Sequence, residues 1–177
     1  MIKLYYTTKV AAEDIQTRAD LSLGGFKSST MIPNNSLSNL FSDLSLYSIQ
    51  RNSSEFIAVI ATNTAAADIV NINVWFGYPA MCQRKIEIAA VDLTVEGEME
   101  GIDSAFSQPY YADFHEADGE GNKIQLGDIE AGKSIGIWLK SSIVLQNIEG
   151  VYSDENIETN GNPIEEEESV RIIFDWE

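Results

Sequence analysis

The sequence holds one cysteine, one histidine and no long apolar run, and each shortage removes a class of chemistry. Cys82 stands alone, which excludes an internal disulfide framework and any multi-thiolate metal site. His115 stands alone, which excludes two-histidine zinc sites and the two-histidine facial iron triad. A membrane helix needs roughly 18 apolar residues in a row, and Ile57 to Ala61 is among the longest runs present. The opening stretch MIKLYYTTKVAAEDIQTRAD lacks the apolar core and small-residue cleavage site of a secretory signal. The chain is therefore expected to be made and kept in a cytoplasm-like compartment. Neither G-x-x-x-x-G-K-[ST] nor G-x-G-x-x-G occurs, so nucleotide binding has no support.

Cations are scarce too, and unevenly so. The formal net charge is −17 over 177 residues, from 11 Lys and Arg against 28 Asp and Glu. Residues 1–90 carry seven of each sign and cancel, so residues 91–177, with four cations and 21 acids, hold the whole excess. Such a surface repels phosphate, and phosphate neutralisation supplies essentially all non-specific nucleic-acid affinity. Direct DNA or RNA binding is not expected. Two readings of the asymmetry stay open: a plainly solvated face, or a surface that meets basic partners or lines a passage nucleic acid must slide through.

What is present is a period of two. In 69–76, Val70, Ile72, Val74 and Phe76 share one face, with Asn71, Asn73 and Trp75 on the other. Residues 55–63 (EFIAVIATN) are apolar on both faces, as a central strand covered on each side would be. Residues 85–93 point Ile86 and Ile88 inward, 134–143 set Ile135, Ile137 and Leu139 against Ser134, Trp138 and Lys140, and 169–176 align Val170, Ile172, Phe174 and Trp176. Residues 21–26 make a weaker sixth strand. Helical spacing occurs only at 9–21 and at 37–47, the latter with Ser36 as a cap. No strand is followed by a credible crossover helix, which rules out a parallel α/β sheet. The expectation is an all-β protein, a β-sandwich or a related barrel over 21–177, with residues 1–20 as an N-terminal arm that can include a short helix. The stretches 58–76 and 126–139 are of a kind common in immunoglobulin-like sandwiches and favour that form. Acidic insertions at 94–123 and 149–169 have no period, and loops beyond about 12–15 residues are usually functional or disordered. These loops and the arm are expected to make the intermolecular contacts.

Several constellations compete for a function. Glu116, Asp118 and Glu120 alternate before Gly121, like the start of a calcium loop. The twelfth place holds Gly127 instead of the bidentate carboxylate, so this is a weak candidate beside a plain acidic loop. Cys82 and His115 could pair as nucleophile and base, yet nothing supplies an oxyanion hole or an orienting third group. Carboxylates of 94–123 could serve a hydrolase, with no pairing fixed by spacing. The block Glu165 to Glu168 reads as solvated. Trp75, Trp138, Tyr110 and Tyr111, with Trp176, could form a sugar platform or anchor a subunit interface. The interface is favoured because Trp and Tyr are enriched there.

The stretches SLGGFKSST (22–30), Pro33-Asn34-Asn35, NLFSDLS (39–45), EFIAVIATNT (55–64) and GDIEAGKSIGIWLK (127–140) together resemble a group of small tailed-bacteriophage virion proteins. Those share a Ser-Leu-Gly-Gly opening, an Asn-Leu-Phe-Asp-like segment, a strand ending in Asn-Thr, and a late Gly-Asp turn before an Ile-Trp strand. The resemblance covers 21–76 and 124–143. Ser42 stands where an acid is expected, and the closing strand has no counterpart. It implies a non-enzymatic structural component of the particle with an immunoglobulin-like sandwich, and it transfers no catalytic residue and no cofactor. The expected partners are copies of the chain and other virion proteins, with no membrane, in a neck or tail position of ring or connector type. Two alternatives are a capsid decoration or auxiliary protein and a carbohydrate-binding, adhesin-like module.

Overall fold

The computed structural model describes residues 1–33, 40–41, 54–77, 84–143 and 171–176. The strand Glu55–Asn63 (β3 in chain order) organises them, and it is buried along its whole length. Its two apolar faces serve two different cores. On one side stand β1 (Ile2–Thr8) and β2 (Gly25–Met31), and on the other β9 (Ser134–Ile143) and β5 (Arg84–Val91). With the short strands β6 (Glu98–Met99) and β7 (His115–Glu116) they make a seven-stranded sheet of order β6-β2-β1-β3-β9-β5-β7. A second sheet of order β10-β4-β8 joins Arg171–Asp175, Ile69–Gly77 and Ile124–Ile129. All pairings are antiparallel. The all-β expectation holds.

The first core lies between the two sheets. Ile57, Val59 and Ala61 of β3 and Ile137 and Leu139 of β9 meet Ile72, Val74 and Phe76 of β4 there, closed at one end by Leu126 and Ile129. Ile86 and Ile88 point into the same core, as their alternation predicts. The turns at its end are tied by Asn63, which is fully buried. Its side-chain amide donates to the carbonyls of Ala67 and Ile129, both at 2.9 Å, and its oxygen accepts from the Ala65 N–H at 2.8 Å. One side chain thus satisfies backbone groups of two separate reversals, one after Asn63 and one after Ile129.

Three expectations are corrected. Residues 2–8 are not an arm. Ile2, Leu4 and Tyr6 alternate toward the first core, and the strand sits between β2 and β3. Burial raises the Tyr6 phenol above its ordinary value. Residues 9–18 form no helix; a single 3-10 turn follows at Ala19–Leu21. Instead, the Glu13 N–H donates to the Lys27 carbonyl at 2.8 Å and the Ser29 N–H to the Asp14 carbonyl at 3.1 Å. The segment therefore covers the outer edge of β2, one way a sheet blunts an exposed edge.

The third correction concerns Val70, which is 39% exposed, whereas Ile69 takes the inward place. Between Ile69 and Ile72 the β4–β8 register slips, and Asn71 adopts a left-handed φ of 54°. A bulge inserts one residue and reverses the facing of everything before it. The expected strand at 21–26 starts later, at Gly25. The helix expected at 37–47 and the insertion at 149–169 lie outside the described residues, apart from Leu40 and Phe41, which pack against the first core.

Candidate functional site

The opposite face of the large sheet carries Phe56, Ala58 and Ile60 of β3, Trp138 of β9 and Ala89 of β5. Trp138 lies directly between Ala58 and Ala89 in register, and these two small neighbours leave room for the indole on the sheet. Residues 94–114 close over this face. Met99, Ile102 and Ala105 are buried with Trp138 and Leu23, and Phe114 lies against Phe56 with ring centroids 5.6 Å apart. The larger part of the acidic insertion is thus a cover for a second core.

Its seat is built by the Ser-Leu-Gly-Gly segment. β1 pairs with β3 only as far as Val59, so the β3 backbone before that point needs other partners. The Ala58 N–H donates to the Ser22 carbonyl at 2.8 Å, and the Phe56 N–H to the Ala105 carbonyl at 2.6 Å. The Ser22 hydroxyl donates to the Ala58 carbonyl at 2.6 Å and accepts from the Thr7 N–H at 2.7 Å. The Gly24 N–H donates to the Thr7 hydroxyl at 3.0 Å. Ile102 N–H donates to the Leu23 carbonyl at 2.9 Å, while β6 pairs with Gly25 and Phe26. Gly24 has a φ of 88°, and a Cβ there would lie 1.9 Å from the Glu100 carbonyl oxygen. Only glycine lets the two chains approach so closely.

On this seat the loop presents three rings to solvent. Tyr110 and Tyr111 are 84% and 79% exposed, and Phe106 is also exposed. The tyrosine rings meet edge to face with centroids 4.9 Å apart. Glu100 fixes their backbone: its two carboxylate oxygens accept the N–H groups of Tyr110 at 2.7 Å and Tyr111 at 2.9 Å. Between 94 and 122 there are eight carboxylates and no Lys or Arg. Replacing Glu100 with glutamine keeps one acceptor and loses the charge-assisted pair, which is worth about 1 kcal/mol or more. Amide exchange at Tyr110 and Tyr111 is expected to quicken by about fivefold in Glu100→Gln, with the Ala58 amide unchanged as internal control.

The other predicted residues are placed as follows. Trp138 is fully buried (0% exposed), so it is neither an interface anchor nor a sugar platform. Sequence periodicity put it on the face away from the aliphatic stripe, which is correct, but that face is covered too. Trp75 is half-buried, opposite Ile173 on the neighbouring strand, and Trp176 is exposed beyond β10. The calcium trio is not assembled. Glu116 pairs with Lys85, holding that ammonium above its usual range, and Asp118 accepts from the Asn122 amide at 2.6 Å. Among the described residues no three potential ligands cluster. His115 is exposed beside Asp113 at 3.1 Å, and Cys82 lies outside the described residues. Glu100 and Phe106 were missed. The signal was there in Glu98-Met99-Glu100, where a lone apolar residue alternates with acids, as in a strand with one face buried.

Comparison with family models, with curated proteins and with solved structures finds no match to this chain.

Proposed function

We propose that this chain is a non-enzymatic structural protein of a tailed-bacteriophage particle, working in the virion by binding copies of itself and other particle proteins. The observation that carries the reading is the use made of the resembling stretches. Ser22, Gly24 and Gly25 seat the aromatic loop, and Asn63 ties the turns at the end of the first core. Ser22, Gly24 and Gly25 thus support a loop that displays outward rings, an arrangement suited to surface contact. The two-sheet core supports an immunoglobulin-like reading of the sandwich. The acidic half of the chain suits a neck or tail position, facing a basic neighbour or the path of DNA, over a place on the capsid exterior.

The carbohydrate-binding alternative has less support. Trp138 is unavailable to it, and the edge-to-face tyrosines offer no flat platform on which a sugar ring could stack. Mass spectrometry of purified particles, separated into tails and DNA-filled heads, tests the proposal. The chain is expected in stoichiometric amount in particles after a high-salt wash, within the tail or neck fraction. Its recovery only from the particle-free lysate would overturn the proposal, and recovery on capsids alone would move the position.

A further inference from the structure

We propose that the Tyr110–Tyr111 pair, with the Glu100 carboxylate bound to its backbone and Asp113 two residues further along the chain, is the docking site for an arginine- and lysine-rich segment of a partner protein. This rests on the assembly reading and names the chemistry of one neighbour.

The motif is one the chain already uses internally. Lys27 lies over the Tyr5 ring, 5.0 Å from its centroid, and pairs with Glu13 at 3.2 Å. Lys140 lies over the Phe114 ring at 5.7 Å and pairs with Glu87 at 2.6 Å. In both places a cation is shared between an aromatic face and a carboxylate. At Tyr110 and Tyr111 the rings and the carboxylates are present, and among the described residues no cation of the chain reaches either ring. An incoming guanidinium would complete the arrangement, stacking on a ring while bonding a carboxylate.

Charge and rigidity favour the same occupant. The cation-free acidic stretch attracts basic segments and repels acidic ones, which sets both encounter rate and selectivity. Among the described residues Asp113 pairs with the exposed His115 alone. The Glu100 clamp holds the backbone of both tyrosines in place before a partner arrives, so little ordering entropy remains to be lost on binding. Pinned, exposed tyrosines in a stretch that carries carboxylates and no Lys or Arg of its own have the composition of an interface hot spot.

The test is titration of the full chain into a fluorescent nine-residue peptide containing four arginines, read by anisotropy at 150 mM salt. Tyr110→Ala/Tyr111→Ala leaves net charge unchanged and is expected to weaken binding by about tenfold or more. Tyr110→Phe/Tyr111→Phe should bind as wild type, since the ring faces remain. Glu165→Gln/Glu166→Gln, which removes two charges from a separate acidic stretch of the sequence, should cost no more than about twofold. Equal affinity for wild type and the alanine pair, or an equal loss in the glutamine pair, would mean that only net charge is being read and would overturn the docking site. Particle incorporation separates this result from the assembly reading. A chain that binds the peptide through its tyrosines yet is absent from particles sinks the assembly reading alone. One that is incorporated normally as the alanine pair sinks the docking site alone.

Discussion

Gly24→Ala is expected to destabilise the protein by about 3–4 kcal/mol, a large part of the 5–15 kcal/mol typical of a domain. Two costs add. A left-handed φ of 88° is unfavourable for any residue with a Cβ, by about 1–2 kcal/mol. The new methyl would also sit 1.9 Å from the Glu100 carbonyl oxygen, which is backbone and cannot rotate away. Relief requires lifting the loop, which breaks the bond from the Ile102 N–H to Leu23 and the pairing of β6 with Gly25 and Phe26. Gly97→Ala provides the control. Gly97 has a similar φ of 81°, but a Cβ there meets nothing within 4 Å. Its cost should be the conformational one alone, about 1–2 kcal/mol. Urea denaturation of both variants measures the difference. A Gly24→Ala midpoint no lower than that of Gly97→Ala would mean that the loop does not rest on the Ser-Leu-Gly-Gly segment.

That contrast also marks where sequence reading succeeds. Period-two alternation located β3, β4, β5 and β9 because each turns a row of alternate apolar side chains into a core, and burial imposes the period. It identified Glu55–Asn63 as covered on both sides, which is what two separate cores require. It failed on Ile2–Thr8, although Ile2, Leu4 and Tyr6 alternate. Good helix formers immediately downstream drew attention to a helix, and a terminus is easily read as an arm. Val10 and Ile15, the two largest apolar side chains of residues 9–18, are both exposed. Local propensity was outweighed there by the pairing demand of the β2 edge. The bulge at Asn71 was illegible because it is set by the β8 strand opposite, where Gly127 with a φ of 83° faces Ile72. Neither residue alone announces a slipped register.

The loop is only partly legible for a related reason. Residues 94–114 have no period because they form a cover, and a cover buries whichever residues happen to face down. Met99, Ile102 and Ala105 have spacings of three without being helical. Tyr110 and Tyr111, by contrast, were correctly expected at the surface, since adjacent aromatics in an acid-rich stretch have no face on which both can be buried. The candidate site was therefore half legible. Its rings could be seen in the sequence, but the Glu100 carboxylate that positions them lies ten residues earlier and is joined to them only by folding.

Trp138 decides whether that cover is a core element or an adornment. Its indole is fully buried, and among the described residues Nε1 has no hydrogen-bond partner. An unmet buried donor costs roughly 1–3 kcal/mol, so the ring is retained against a penalty that only the packing of a large aromatic body offsets. Trp138→Ala should lower stability by about 3–5 kcal/mol, through lost transfer energy and a cavity between Ala58 and Ala89. Trp138→Phe removes area as well but also removes the orphan donor, so its net cost should stay within about 1–1.5 kcal/mol. Denaturation midpoints of the isolated protein separate this from the role that periodicity alone suggested. An interface tryptophan could be replaced by alanine with little effect on the stability of the free chain, its loss appearing only on binding. Near-equal midpoints for wild type and Trp138→Ala would therefore place the indole outside any core. A large loss in alanine, with phenylalanine close to wild type, would mean that the acidic loop is packed as interior on one side while it offers tyrosines on the other.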